Sequence, residues 1–163
     1  MTDAILVVTT GGTIDKVYFD AKSELAVGRS LVGELLREAH VYAPYEIAEV
    51  LRKDSLDLTD ADRALIRSTI EGAVNGRIVV THGTDTMTET ARALRAIAGK
   101  TIVLTGALSP ARFAHTDATF NVGMAFAAVQ TLPHGVYIAM NGQVFDAAHV
   151  RKDRAANRFV GVG

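Results

Sequence analysis

Hydrophobic residues recur along this chain in two alternating patterns, short strand-like segments and longer helix-like repeats. Five short segments rich in β-branched or alternating apolar residues predict strands at 4–8, 46–51, 77–81, 101–105 and 136–140. Between them, apolar residues three or four positions apart predict helices over 31–39, 65–74, 87–98 and 120–128. This alternation predicts a three-layer α/β fold, Rossmann-like or flavodoxin-like, whose mainly parallel sheet is flanked by helices on both faces.

The connections between these elements carry helix caps and one long polar segment. Side chains that can accept hydrogen bonds from free backbone N–H groups stand at the predicted helix starts: Ser30, Thr59 with Asp62, Thr86 with Glu89, and Asp117. The polar segment 14–29 predicts a long irregular loop, and loops of that length often act as lids or binding loops.

Composition narrows the class of protein. A length of 163 residues suits a single domain, expected to span 1–163. The net charge of -1 gives no reason to expect a nucleic-acid or membrane partner. The chain has no cysteine, and its five histidines lack metal-binding spacing, so no metal site is expected. The acidic start and the absence of a long apolar run favour a cytoplasmic protein.

The turn behind the first strand is the first candidate for chemistry. Gly11 and Gly12 let the backbone turn sharply and let a small molecule approach closely. Thr13 then stands at a strand end, where open α/β sheets bind their ligands. We take Thr13 as a possible nucleophile; the alternative is a plain strand-to-loop turn with a solvent-facing threonine.

Four more strand-end segments should lie at the same edge of the sheet, namely 53–57, 81–85, 105–107 and the stretch after 140. They contain many small hydroxyl, glycine and acidic residues, which could bind the amino, carboxyl and amide groups of a small polar molecule. Helix amino ends at this edge would suit a carboxylate, and aspartates would suit an ammonium group. The alternative is that these residues only cap helices.

A threonine hydroxyl needs a base to become a nucleophile. His82 adjoins the third loop, but no histidine is clearly placed for this purpose. Lys152 follows the fifth strand closely enough to return to the same edge, and Asp85 could orient it. An aspartate favours charged lysine, so burial would have to oppose it. The alternative is that Lys152 is a solvated residue of a basic tail.

Two motifs together resemble the bacterial-type L-asparaginase family. They are Thr10-Gly11-Gly12-Thr13-Ile14 and His82-Gly83-Thr84-Asp85-Thr86-Met87, in this order and each after a predicted strand. The similarity continues through 55–57, 104–107 and 120–121 to the stretch from 140 to 152, and so covers nearly the whole chain.

This resemblance implies hydrolysis of L-asparagine to L-aspartate and ammonia without a metal or cofactor. It implies that Thr13 attacks the side-chain amide to form an acyl-enzyme. Thr84, Lys152 and Asp85 would form a second group that assists proton transfer or the deacylating water. The division of work between the two threonines stays open.

The resemblance also implies a set of substrate contacts. Asp85 would bind the substrate ammonium, and Ser55 with Asp54 would bind the α-carboxylate. Backbone groups complete the implied site: Gly12, Gly83, the N–H groups of Thr13 and Thr84 as oxyanion donors, and the carbonyl of Ala107.

The chain departs from the family pattern in three places. Leu25 stands where the family usually has a loop tyrosine, and Tyr18 could supply the phenol instead. The alternative for Tyr18 is an aromatic residue packed on the surface. Leu108-Ser109-Pro110 replaces a usual Arg-Pro pair, which is expected to alter loop shape rather than chemistry.

The third departure is length, because the family's smaller carboxyl-terminal domain is not in this sequence. We therefore expect a short asparaginase that forms a homo-oligomer, a dimer or a tetramer. Two alternatives stay open: a non-catalytic module that binds aspartate or asparagine, and the amidase part of a larger amidotransferase assembly. Selectivity between asparagine and glutamine rests on one methylene, worth about 1–3 kcal/mol in pocket fit.

Overall fold

The computed structural model describes residues 3–19, 21 and 23–163. Within them the strands are β1 (Ile5–Gly11), β2 (Lys16–Phe19), β3 (Glu24–Val27), β4 (Tyr45–Lys53), β5 (Arg77–Thr81), β6 (Thr101–Thr105), β7 (Gly135–Met140), β8 (Gln143–Asp146), β9 (Val150–Asp153) and β10 (Arg158–Gly161). The helices are α1 (Val32–Glu38), α2 (Asp60–Gly72), α3 (Met87–Leu94) and α4 (Ala118–Thr131).

A central sheet with the strand order β4-β1-β5-β6-β7-β8 organises the described residues. All neighbouring strands in it are parallel except the antiparallel pair β7 and β8. Thr9 lies beside Thr81 in the register, and Thr81 lies beside Thr105. The loops after β1, β5 and β6 therefore leave the sheet at one level, and the predicted mainly parallel α/β fold is confirmed.

Side-chain alternation along the strands divides the apolar core into two layers. Leu6 and Val8 of β1 face a cluster that includes residues of α2 and α3, such as Ile70 and Met87. Val7 faces the opposite cluster, which includes residues of α1 and α4. Helices thus cover both faces of the sheet, as the sequence predicts.

The polar segment 14–29 is not an irregular loop. It begins with a 3-10 turn at Thr13–Asp15 and continues as an antiparallel hairpin of β2 and β3. The prediction is wrong because both strands have four residues and are only half-buried or exposed, so they lack an apolar face that would mark them in the sequence. Part of the predicted loop, Asp20 and Lys22, lies outside the described residues.

One of the two predicted capping boxes forms. At the start of α2, the Asp62 N–H donates to Thr59 Oγ1 at 3.1 Å, and the Thr59 N–H donates to Asp62 Oδ2 at 2.9 Å. At the start of α3, Thr86 makes no side-chain cap; its hydroxyl instead donates to the Ser55 carbonyl at 2.8 Å. A tertiary partner has replaced the local one.

The predicted caps of the other two helices also differ. Asp117 does not cap α4, because its carboxylate accepts the N–H groups of Leu108 at 2.9 Å and Ser109 at 3.0 Å. Ser30 Oγ accepts the Val32 N–H at 3.3 Å at the start of α1. The aspartate holds the loop after β6 rather than the helix that follows it.

We expect Gly12→Ala to destabilise the fold, because Gly12 has φ +87° and an added Cβ would overlap the Gly83 backbone. A strained left-handed residue together with this overlap should cost at least about 2 kcal/mol of unfolding free energy. The matched control is Gly123→Ala in α4, where no described atom lies within 4 Å of the added Cβ. That variant should gain about 0.5–1 kcal/mol. Urea unfolding measures both, and equal stabilities would contradict the expectation.

Candidate active site

Glycine backbones bring the strand-end loops into direct contact. An added Cβ at Gly11, whose φ is +107°, would lie 2.5 Å from the backbone nitrogen of Lys53 at the end of β4. The Gly12 N–H donates to the Lys53 carbonyl at 2.9 Å, and Gly12 itself lies against Gly83. The turn that carries Thr13 is therefore clamped between the loops after β4 and β5.

The same close packing continues across the edge of the sheet. An added Cβ at Gly83 would lie 2.7 Å from Ser55 Oγ, and one at Gly106 would overlap the His82 carbonyl. The loops after β4, β5 and β6 are thus stacked without side chains between them. Only glycine allows this approach, which draws the neighbouring functional groups into one small region.

Thr13 is the first residue of the 3-10 turn and is half-buried. In the described part of the chain, its hydroxyl has no hydrogen-bond partner, and its N–H donates to no other group. The turn is held instead through its neighbours, because the Ile14 carbonyl accepts the Ala111 N–H at 3.0 Å. Thr13 therefore has free hydrogen-bonding groups on a fixed backbone.

Thr84, Asp85 and Lys152 form a connected cluster. Lys152 Nζ donates to Thr84 Oγ1 at 2.7 Å and to Asp85 Oδ1 at 2.8 Å. The Lys152 side chain is only 10% exposed, whereas that of Asp85 is 35% exposed. The sequence alternative of a solvated lysine in a basic tail is therefore wrong. The β9–β10 hairpin, which pairs Lys152 with Phe159, carries the lysine back to this edge.

The arrangement of the cluster leaves one proton and one carboxylate edge free. Thr84 Oγ1 accepts a hydrogen bond from Lys152, so the threonine's own proton remains available for another acceptor. Asp85 binds the lysine through Oδ1 and is the more exposed partner. The group can therefore exchange a proton at Thr84 while Asp85 still faces a cationic ligand.

Ser55 and Asp54 lie on the neighbouring loop. Ser55 is 1% exposed, and its Oγ accepts the Thr86 N–H at 3.3 Å, which leaves the hydroxyl proton free. Asp54 pairs with Lys16 of the β2–β3 hairpin at 3.1 Å. Burial would raise the pKa of Asp54, but the Leu56 N–H and the Lys16 ammonium outweigh it and lower that pKa.

The hairpin lies over the loop after β4 and encloses a cavity of about 570 Å³ with it. Its lining includes Lys16, Ala26 and Asp54. A second cavity, of about 510 Å³, lies at the opposite edge of the sheet beside Gly76 and Thr101. Only the first of these two adjoins the clustered loops, so it is the one that matters for a ligand there.

Tyr18 is not brought into the lysine cluster. It lies on β2, is 58% exposed, and pairs directly with Leu25 of β3. Directly opposed residues of an antiparallel pair share one face, with Cβ atoms about 5 Å apart. Tyr18 therefore stands beside the position where the family resemblance implies a tyrosine, and its role stays a prediction.

The loop after β6 contributes backbone groups. Ala107 is fully buried, and the preceding Gly106 carbonyl accepts a hydrogen bond from Asn121 Nδ2 at 2.9 Å. The same Asn121 amide donates to Asp117 at 2.8 Å. Asn121 thus fixes the loop beside Ala107 from helix α4.

Two buried titratable residues near the site were missed as functional residues in the sequence. His82 lies under the third loop, and burial lowers its pKa to about 4, helped by the nearby Arg63. Asp15 is 2% exposed, its Oδ1 has no hydrogen-bond partner among the described residues, and burial raises its pKa to about 6. Nothing in the polar stretch around Asp15 signals that this aspartate is buried.

The comparison with known proteins now decides the family. Residues 4–159 match the family model described as Asparaginase, N-terminal. This chain belongs to the asparaginase family. It is 31% identical over 166 residues to the glutaminase-asparaginase of Acinetobacter glutaminasificans, a match that covers 91% of this chain and 49% of that protein.

Solved structures of asparaginases share the fold. L-asparaginase I from Vibrio cholerae superposes with a TM-score of 0.85 and 27% identity, over 99% of this chain and 52% of that one. The chain spans about half the length of the curated relatives it matches. A shorter match, 39% identical over 83 residues, joins 50% of this chain to 19% of a glutamyl-tRNA(Gln) amidotransferase subunit from Methanococcus vannielii.

Two further properties concern the described residues of this asparaginase-family chain. None of their helices is long and apolar enough to cross a membrane. No three histidine or acidic side chains among them are grouped so that they could hold a metal ion. The candidate site is therefore described by its hydroxyl, lysine, carboxylate and backbone groups.

We expect Asp15→Asn to stabilise the protein at pH 8 by up to about 3 kcal/mol, since each pKa unit corresponds to about 1.4 kcal/mol. Because the pKa of Asp15 rises from 3.8 to about 6 on folding, the wild type loses stability as the pH rises through that range. Below pH 4 both forms are neutral and the difference should vanish. Thermal unfolding at pH 4 and pH 8 measures this, with exposed Asp57→Asn as the control. A gain that is equal at both pH values would contradict it.

Proposed function

We propose that this chain is an amidohydrolase that converts L-asparagine to L-aspartate and ammonia through a Thr13 acyl-enzyme. The observation that carries the proposal is the contact between the Gly12 turn and the Gly83 loop. It sets the Thr13 turn against the loop that leads into the Thr84–Asp85–Lys152 cluster. A nucleophile and a proton-transfer group can then act on one amide.

In the first step, Thr13 Oγ attacks the amide carbon and a carbon–oxygen bond forms as the hydroxyl proton leaves. The resulting oxyanion is stabilised by the free N–H groups of Thr13 and Thr84. The carbon–nitrogen bond then breaks, and the nitrogen takes up a proton and departs as ammonia. Water finally hydrolyses the ester to release aspartate and restore the Thr13 hydroxyl.

The lysine cluster would move the protons. As an ammonium, Lys152 donates to Thr84, so the Thr84 hydroxyl can pass its own proton to the departing nitrogen and be resupplied by the lysine. In the second step the same groups, run in reverse, take a proton from the attacking water. Asp85 holds the lysine in place throughout.

Recognition of the amino acid would use the two flanking loops. The free proton of Ser55, beside Asp54, suits the α-carboxylate, and the exposed edge of Asp85 suits the α-ammonium. The Gly12, Gly83 and Ala107 backbones would border the side-chain amide. Tyr18, beside Leu25 on the hairpin, would supply a phenol above the site.

The setting of the reaction is proposed on the same basis. The chain is proposed to act as one domain spanning 1–163, in the cytoplasm, and as a dimer or tetramer of identical chains. No cofactor is required by the steps above. Asparagine is the preferred substrate, while a relative named glutaminase-asparaginase makes glutamine the natural competitor to test.

A second candidate function has one observation in its favour. The match to an amidotransferase component suggests an amidase that transfers ammonia within a larger assembly. Such a component would release ammonia slowly when alone. A non-catalytic module would instead show a rise in melting temperature with aspartate and no turnover of asparagine.

We expect purified wild-type chain to release ammonia from L-asparagine faster than from L-glutamine. Thr13→Ala should lower kcat by about 10³-fold or more, because the nucleophile is removed. Lys152→Met should lower kcat by about 10²-fold, within the range of acid–base assistance. Thr119→Ala, an exposed threonine of α4, is the matched control and should match the wild type.

Coupled detection of ammonia, with both amides run side by side, measures these rates. Circular dichroism should show that each variant is folded. Equal, slow ammonia release by wild type, Thr13→Ala and Lys152→Met would overturn the proposed function.

A further inference from the structure

We infer that His82 is a positioning residue that directs the Thr84 N–H towards the substrate, through a buried hydrogen-bond chain that runs from Arg63 through Thr90. The inference deepens the proposed function and rests on it, because that function assigns the Thr84 N–H to the oxyanion. It goes beyond it in giving a role to three residues that touch no substrate.

The direction of every hydrogen bond in the chain can be assigned. Arg63 can only donate, and its Nε donates to Thr90 Oγ1 at 3.1 Å. At the other end the Gly83 carbonyl can only accept, so the His82 Nδ1 that lies 2.6 Å away carries the proton.

The neutral ring then fixes the middle of the chain. With the proton on Nδ1, the His82 Nε2 is an acceptor, and the Thr90 hydroxyl donates to it at 2.8 Å. Burial, which lowers the pKa of His82 to about 4, keeps the ring neutral in the working range. One tautomer satisfies all the partners, and the other would set two acceptors, Nδ1 and the Gly83 oxygen, against each other.

The last link of the chain acts on a peptide group. The Gly83 carbonyl and the Thr84 N–H belong to one planar unit, and no described peptide bond is cis, so the two groups point in opposite directions. Because the carbonyl is drawn to a completely buried imidazole, the N–H is directed away from the protein interior. It donates to no other group in the described residues.

The chain is anchored on two helices as well as on the loop. Arg63 belongs to α2, where it also donates to the Leu58 carbonyl at 3.3 Å and pairs with Glu89 at 3.3 Å. Thr90 belongs to α3 and is completely buried. Both helices therefore hold the imidazole, which suits a role in keeping one peptide from rotating when negative charge develops beside its N–H.

Thr90 offers the test, because two substitutions separate its hydroxyl from its volume. Thr90→Val keeps the shape and removes the donor to His82, whereas Thr90→Ser keeps the donor. We expect Thr90→Val to lower kcat about tenfold, which is less than the complete loss of an oxyanion donor, with KM changed much less. Thr90→Ser should keep kcat within about twofold of the wild type.

Nitrogen-15 NMR of histidine-labelled protein gives a readout that does not need activity. Wild type and Thr90→Ser should show His82 protonated at Nδ1 and bare at Nε2, and Thr90→Val should shift the Nε2 resonance as its hydrogen bond is lost. Melting curves establish that the variants are folded.

The outcomes separate the two proposals. If wild type hydrolyses asparagine and Thr90→Val is equally fast, or if wild-type His82 is protonated at Nε2, the positioning role is wrong and the proposed function stands. If wild type releases no ammonia, the proposed function and the oxyanion role fall together, while the NMR result still decides whether the hydrogen-bond chain exists.

Discussion

The site depends on the close approach of loop backbones at the carboxyl edge of the sheet. Gly12 lies against Gly83, and Gly83 lies against Ser55, at distances that a side chain on either glycine would prevent. The parallel register brings the strand ends to one level, and these glycines then remove the space between the loops. A pair of threonines on separate strands can therefore serve one small pocket.

Hydrogen-bond supply decides what this pocket can do. Lys152 satisfies the oxygen of Thr84, Thr86 satisfies the oxygen of Ser55, and His82 engages the Gly83 carbonyl. Each contact occupies an acceptor and leaves a donor free towards the centre of the site. A centre surrounded by free donors suits the carboxylate of an amino acid and the oxyanion of an acyl-transfer reaction.

The sheet and its helices could be predicted from the sequence, because strands such as β5 and helices such as α2 each bury a regular apolar pattern. The β2–β3 hairpin could not, since it has no buried face. Thr86 shows a second limit: its spacing to Glu89 is that of a cap, yet its partner Ser55 lies 31 residues away. The lysine cluster followed from motif resemblance and strand order, whereas the burial of His82 depends on packing that spacing does not reveal.

The central claim is that Thr13 and the Thr84–Lys152 pair address the same group of one substrate. A crystal structure of the chain with bound L-aspartate tests this most directly. We expect the side-chain carboxylate of aspartate to lie within hydrogen-bond distance of both threonine hydroxyls, with its α-carboxylate at Ser55. Aspartate bound at another face, or in contact with only one of the two threonines, would contradict the account.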